Sequence, residues 1–467
     1  MHCVRIHESS CGHLTSYFRS LAFQHILSVR SLSGHEHLRD EDKTFFPPVL
    51  LRRHIGKSMH PPRLQFPKSC AVDTFPKKLI GSGQATLKCD HSRTLTISRC
   101  KSREKLEMQI VRHSEQTIKT ALISKNPKLV TQYEKLDAGE RRLMNEAFQP
   151  ASDLFGPITL HSQSDWITSH PEAPQDFEEF FSDPYRKTPC PEKRSIYIQS
   201  IGALGNTRVI SEEYIKWLKG YCEAFFYGLT VKLLEPVSVS ATRCSFRVND
   251  HTQNLQIHAG HILNFLGKKK PEDAFCIVGI TMIDLYPRDS WNFVFGQASL
   301  TDGVGIFSFA RYGRDFYTSR YEGKVKKLHK KSSSDYSSFD NYYIPEITSV
   351  LLLRSCKTLT HEIGHIFGLR HCQWLACLMQ GSNHLEEADR RPLNLCPICL
   401  RKLQCSIGFS IVERYKALVR WIDDESTDTT RATPKHSREN NVNLPKPVEA
   451  FQEWKQWIMK CLAVLQK

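Results

Sequence analysis

No run in this sequence approaches the roughly 18 consecutive apolar residues of a membrane-spanning helix. The opening stretch MHCVRIHESSCGHLTSYFRSL also lacks the apolar centre of a secretory signal, because His, Arg and Glu interrupt it throughout. We therefore expect an intracellular protein without a membrane partner. The cytoplasm is the expected compartment, and the nucleus and the mitochondrion are the alternatives.

Acidic residues are scarce in the first quarter of the chain. Residues 1–107 hold eighteen Lys and Arg against nine Asp and Glu, so they carry most of the net charge of +15. They show no sustained apolar period of 2 or 3.6, which is typical of a disordered or isoform-specific extension. A mitochondrial transit peptide is the alternative, although acidic residues from Glu36 onward interrupt that pattern. Met108 is a candidate start for a shorter product.

Cysteine is too sparse for a disulfide scaffold, with sixteen residues in a chain of 467. In a reducing compartment, clustered cysteines indicate metal binding before disulfide pairing. The lysine-rich stretch at residues 321–341 has no interleaved base-reading pattern, so we expect a solvated loop and no nucleic-acid partner. The sequence says nothing of the oligomeric state.

Composition and periodicity divide the rest of the chain into four parts. Residues 108–193 are helical and then Pro-rich, and residues 194–423 form the globular part. Residues 424–447 are linker-like, and residues 448–467 predict a terminal helix that docks on the domain or on a partner. In the globular part we predict strands at 195–202, 229–237 and 274–285, a hairpin-like pair at 293–300 and 305–312, and helices at 211–226, 255–266 and 345–368. Ser211 is the predicted cap of the first helix, and its apolar face is predicted to carry Ile215, Leu218, Cys222 and Phe225. Alternating strands and helices predict an α/β layer.

The stretch HEIGHIFGLRHC, residues 361–372, contains the pattern HExxHxxGxxH. His361 and His365 are one helical turn apart and can reach one ion, and Glu362 beside them can take a proton from water. His371 can return to the same ion only if the helix ends, and Gly368 stands where glycine permits that turn. Three imidazoles and a water make an open, catalytic zinc site.

Four cysteines form a second group with the spacing C-x4-C-x18-C-x2-C, and four thiolates leave no open position on a zinc ion. We therefore predict a structural zinc on Cys372, Cys377, Cys396 and Cys399. Buried free thiols are the alternative. Met379 lies between the pairs, followed by Gly381 and Ser382, and fits the Met-turn of metzincin peptidases.

The stretch HEIGHIFGLRHCQWLACLM, followed by CPIC, resembles the archaemetzincins, a family of metzincin-type zinc peptidases. FVFGQASLTDGVGIFSFARYG also resembles the segment before the active-site helix in that family. The resemblance covers about residues 190–420. It implies a mixed α/β domain with a twisted sheet, an active-site helix and a small C-terminal subdomain that carries the Met-turn.

The resemblance also implies two zinc ions per chain, a catalytic one on the three histidines and a structural one on the four cysteines, with Glu362 as general base. The predicted function is hydrolysis of peptides by water that zinc activates. We expect the substrate to lie extended along an edge strand supplied by residues 305–312. The alternative function is a zinc-stabilised interaction module with an idle peptidase centre. The choice between endopeptidase and aminopeptidase action stays open.

Overall fold

The computed structural model describes residues 109–149, 152–313, 315–318, 321–325, 335–423 and 444–467. The predictions for residues 1–107 and for Met108 lie outside these residues. So do most of the linker at 424–447 and the centre of the lysine-rich stretch.

Ten strands and thirteen helices follow along the described residues. The strands are β1 (Gln109–Val111), β2 (Ile158–Leu160), β3 (Ser195–Ile201), β4 (Thr230–Val237), β5 (Phe246–Val248), β6 (Leu255–His258), β7 (Ala274–Thr281), β8 (Asp284–Tyr286), β9 (Gly296–Ser299) and β10 (Val304–Ser308). The helices are α1 (Glu115–Ile123), α2 (Pro127–Glu134), α3 (Ala138–Asn145), α4 (Trp166–Ser169), α5 (Phe177–Ser182), α6 (Arg208–Phe225), α7 (Val239–Thr242), α8 (Ala259–Lys269), α9 (Ser349–Ile366), α10 (Leu385–Arg390), α11 (Pro397–Ile407), α12 (Ile411–Asp423) and α13 (Gln452–Gln466).

The main sheet has five strands in the order β4-β3-β7-β10-β9. The first four are parallel, and β9 pairs antiparallel with β10. The long apolar run at 274–285 supplies the central strand β7, all eight residues of which are buried, as the sequence predicts. A three-stranded sheet, β5-β6-β8, and a two-stranded sheet, β1-β2, complete the described strands.

Alternate residues of the central strands point into two different cores. Ile196 and Ile198 of β3 lie in the larger core with α6 and α9, whereas Tyr197 and Ile201 lie in the smaller core with α8. The period of two along a strand therefore places helices on both faces of the sheet. This arrangement confirms the predicted mixed α/β fold and places α9 against the face that carries the candidate site.

Two local predictions are wrong. Thr207 caps α6, since its hydroxyl accepts from the backbone N–H of Ile210, whereas Ser211 lies inside the helix with its hydroxyl bonded to Gly205. The predicted face of that helix is buried as expected. Residues 255–266 are not one helix, because Leu255–His258 form β6 and α8 begins only after the cap at His258. A short apolar run fits both the helical and the strand period. Here residues 255–258 form a strand because they pair with β5 and β8.

The hairpin-like pair is confirmed, but its edge is assigned to the wrong strand. Residues of β10 pair with β7 on one side and with β9 on the other. Of this pair, β9 is therefore the strand at the sheet edge, and the predicted edge at 305–312 is wrong. Sheet order depends on partners distant in sequence, which a pattern within one strand does not reveal.

The terminal helix docks on the domain. Five apolar residues of α13 are buried, and the helix packs on α3 and α12: Trp454, Ile458, Cys461, Leu462 and Leu465. The helices before residue 183 also pack on the C-terminal part, since α1 and α5 contact α11. Among the described residues, no helix combines the length and apolarity that a bilayer crossing requires.

Candidate active site

Helix α9 carries the first two histidines and the glutamate. Thr348 caps it by accepting from the backbone N–H of Leu351, and the helix runs through the motif to Ile366. Gly368 follows in the left-handed region with φ of +90°. The helix therefore ends where the motif predicts, and the chain turns back so that His371 can face the same centre.

His361 and His365 are held by backbone carbonyls behind them. Nδ1 of His361 lies 2.8 Å from the carbonyl oxygen of Leu378, and Nδ1 of His365 lies 2.6 Å from that of Leu369. A carbonyl can only accept, so each Nδ1 carries the proton and each Nε2 offers a lone pair. The two Nε2 atoms face each other at 3.0 Å. Burial, with the neighbouring Arg391 cation, holds both histidine pKa values well below 6.5, so both are neutral.

His371 completes the group from outside the helix. Its Nδ1 lies 3.0 and 3.1 Å from the two carboxylate oxygens of Glu172, so it donates there and leaves Nε2 free. Burial would raise the pKa of Glu172, but hydrogen bonds from His371 and Trp166 bring it below its ordinary value. One nitrogen from each of the three histidines lies within 4.8 Å of the others.

These three nitrogens fit zinc. Tetrahedral zinc with Zn–N bonds of about 2.0–2.1 Å places its nitrogen ligands about 3.3 Å apart. Two lone pairs facing each other at 3.0 Å repel unless a cation lies between them. Neutral imidazoles whose other nitrogen is hydrogen-bonded are the usual ligands of this ion.

Glu362 is a buried carboxyl with no hydrogen-bond partner for either oxygen among the described residues. Burial raises its pKa to about 8, and the Arg391 cation opposes that shift. Leaving a buried carboxyl unpaired costs stability, so such groups are found mainly where function requires them. Glu362 is therefore a buried carboxyl with a perturbed pKa beside the three histidines, which makes it a candidate for proton transfer.

The four cysteines form a separate closed group. Their Sγ atoms all lie within 4.8 Å of one another, and all four residues are buried. Sγ of Cys372 lies 3.6 Å from Sγ of Cys396, close to the spacing of about 3.8 Å that Zn–S bonds of 2.3 Å imply for a tetrahedron. None of the eleven described cysteines forms a disulfide.

Two backbone N–H groups donate to one sulfur of this group. The N–H groups of Met379 and Cys396 point at Sγ of Cys377 at 3.4 and 3.3 Å. Cys396 is the residue before α11, and Cys399 lies in its first turn, where the helix dipole favours negative charge. The donor set therefore fits a structural zinc.

The turn at residues 377–380 contacts both groups. Leu378 accepts from His361, and the carbonyl of Met379 accepts from the backbone N–H of Cys372 at 2.8 Å. Met379 lies under the active-site helix so closely that a Cβ on Gly364 would come within 2.7 Å of its sulfur. Residues 377–380 therefore join the second group to the first.

Glu172 and Arg391 are site residues that sequence reasoning missed. Glu172 lies in a Pro-rich stretch 199 positions before His371, and no motif marks it. Arg391 is buried, donates to the carbonyl of Gln380 at 2.6 Å and lies 3.2 Å from Nδ1 of His361. Its charge is the one that offsets a carboxylate at Glu362.

A third cluster consists of Asp165, His384 and Glu387. Its carboxylate oxygens already accept hydrogen bonds from other groups. Asp165 accepts from Arg390 at 2.8 Å. Glu387 accepts the backbone N–H groups of Trp166 and Asn383, each at 2.7 Å. This cluster anchors Trp166, which in turn donates to Glu172 at 3.0 Å.

This chain is similar to several known proteins. The model of peptidase family M54 matches residues 333–405. Archaemetzincin-2 of Macaca fascicularis is 88% identical over 360 residues, and that of Homo sapiens is 87% identical over 360 residues. Each match covers 77% of this chain and 100% of the relative. The crystal structure of archaemetzincin from Methanopyrus kandleri is 23% identical, with a TM-score of 0.31, over 47% of this chain and 99% of that one.

Proposed function

The chain belongs to the archaemetzincin family of zinc metallopeptidases, and we propose that His361, His365 and His371 hold its catalytic zinc. We propose Glu362 as its general base. The observation that carries the assignment is the convergence of three Nε2 atoms, each freed by a hydrogen bond at Nδ1, beside a buried carboxyl that has no partner among the described residues.

Each residue then has a separate task in peptide hydrolysis. Zinc at the three nitrogens would supply Lewis-acid polarisation of the scissile carbonyl and would lower the pKa of water. Glu362 takes the proton from the attacking water and delivers it to the leaving amine. Arg391 balances the charge of the Glu362 carboxylate, and burial of the centre excludes competing solvent.

The second zinc is proposed on Cys372, Cys377, Cys396 and Cys399. The closed set of four sulfurs supports a structural role, because it leaves no position for water or substrate. Two zinc ions per chain are therefore expected.

The test of the mechanism is Glu362→Gln. Glutamine keeps the shape of the side chain but cannot accept the proton, so peptide turnover should fall by about 10²- to 10⁴-fold. Zinc content should stay at the wild-type value because Glu362 is not a ligand. Turnover is measured on a panel of peptides, with chelation and zinc restoration as the control.

Two outcomes contradict the proposal. If Glu362→Gln cleaves peptides at the wild-type rate, Glu362 is not the base. If the purified wild-type protein binds zinc at the histidines but cleaves none of the peptides, the peptidase centre is idle and the metal serves an interaction module.

A further inference from the structure

The three histidines differ in what holds their second ring nitrogen. His361 and His365 lie on α9 and donate to backbone carbonyls. His371 lies beyond the helix end, and it alone of the three faces a carboxylate, with both oxygens of Glu172 within 3.1 Å. The contact is enclosed, since the side chain of His371 is 11% exposed and that of Glu172 is 16% exposed.

We propose that Glu172 is a positioning residue that orients His371 and strengthens its bond to the catalytic metal. The inference rests on the proposed assignment of His371 as a ligand. A carboxylate that accepts from an imidazole fixes the ring and raises the basicity of the opposite nitrogen. The residues before the catalytic part of the chain therefore supply an outer group of the catalytic centre.

Glu172 is itself held in place from two sides. The indole N–H of Trp166 donates to Oε1 at 3.0 Å, and the amide of Gln373 donates to its backbone carbonyl at 2.7 Å. The ring of Trp166 also meets the ring of His371 edge-on, with 4.9 Å between centroids. These contacts fix the position of the carboxylate.

The same segment holds the turn that brings His371 back. Gln175 is buried, donates to the carbonyl of Gly368 at 3.1 Å and accepts from the backbone N–H of Arg370 at 3.1 Å. Residues 172–175 therefore contact the turn that follows α9, at Gly368 and Arg370, and His371 beyond it. A segment that only filled space would not need a carboxylate at this one position.

Two substitutions separate charge from orientation. Glu172→Gln retains an oxygen that accepts from Nδ1 but removes the negative charge. Glu172→Ala removes both. The matched control is Glu178→Gln, because Glu178 lies in the same region and accepts from Ser124 and Asn126 without touching a histidine of the site.

The experiment is a competition titration of the full chain with zinc and a chelator, repeated with cobalt so that the spectrum distinguishes the histidine site from the thiolate site. We expect Glu172→Ala to weaken metal binding at the histidines by about 10- to 100-fold. Glu172→Gln should fall between wild type and Glu172→Ala. The four-cysteine site and Glu178→Gln should bind metal as wild type does.

The outcomes distinguish failure of the positioning role from failure of the proposed function. If Glu172→Ala binds metal at the histidines within about 2-fold of wild type, or if it weakens both sites equally, the positioning role is wrong. If the wild-type protein binds no metal at the histidines, the proposed function fails first, and the cobalt spectrum shows this without any activity measurement.

Discussion

His371 and Cys372 are neighbours in the chain, yet each belongs to a different group of donors. His371 donates to Glu172, whereas Cys372 faces Cys396 through sulfur and contacts the Met-turn through its backbone N–H. Successive side chains of an extended segment point to opposite sides, so adjacent residues can serve two ions. Because the two residues share a backbone, a movement of one side chain also displaces the other.

Cys372→Ser tests this connection between the two centres. Serine is a poor zinc ligand, so the four-cysteine site should lose most of its affinity, and zinc binding at the histidines should weaken by about 3- to 10-fold because a tether after His371 is lost. Both affinities are measured by metal titration. Cys405→Ser is the control, because Cys405 lies on α11, the helix that carries Cys399, but outside the four-cysteine group. Unchanged affinity at the histidines would mean that Cys372 is only a neighbour.

At the scale of single elements, the outer strand β9 is where we propose that an extended peptide adds to the sheet. The backbone N–H of Ser308 donates to the carbonyl of Phe295, two positions before Gln297 on the outer strand. In an antiparallel pair, bonded positions alternate, so Gly296 and Ala298 direct their backbone groups away from β10. Both residues are buried, so a peptide that pairs there has to displace the side chains that cover this edge.

Peptides with single N-methyl groups test this docking mode. If a substrate pairs with β9, methylation at alternate positions should lower kcat/KM by about 3- to 10-fold, because one hydrogen bond is worth about 1 kcal/mol. Methylation at the intervening positions should have little effect. A profile with no alternation, measured by competition among the methylated peptides, would exclude strand pairing.

The active-site helix could be predicted because the features that define it lie close together in the sequence. A cap, an apolar period and a glycine at the turn all lie within residues 348–368. The edge strand could not be predicted in this way. The sequence pattern of β10 does not show that this strand pairs with both β7 and β9. Glu172 shows the same limit for the site, since its contact with His371 joins positions 199 residues apart.

At the scale of the whole molecule, the structure rests on contacts between distant parts. Arg401 of α11 donates to the carbonyl of Leu129 at 3.0 Å, and its guanidinium lies 3.6 Å from the centre of the Phe177 ring. Gln404 of the same helix donates to Glu140 at 2.7 Å. Helix α11, which begins at the cysteine cluster, therefore packs against the first described helices.

We predict that loss of the cysteine-bound zinc unfolds more of the protein than loss of the catalytic zinc. Binding of structural zinc contributes roughly 10 kcal/mol or more in small zinc domains, and here the cluster adjoins α11. Cys396→Ser should lower the melting temperature by about 10 °C or more, whereas His361→Gln should shift it by only a few degrees. Calorimetry with a metal count checks both. Equal shifts in the two variants would contradict the division into structural and catalytic ions.

The distance between Glu172 and His371 along the chain also sets an order in time. A ribosome that adds 5–20 residues per second needs about 10–40 s to travel the 199 positions between them. During that interval the segment at 172–175 has emerged, but the turn it contacts has not yet been made. The nascent chain therefore lacks one of the three proposed zinc ligands until His371 has left the exit tunnel.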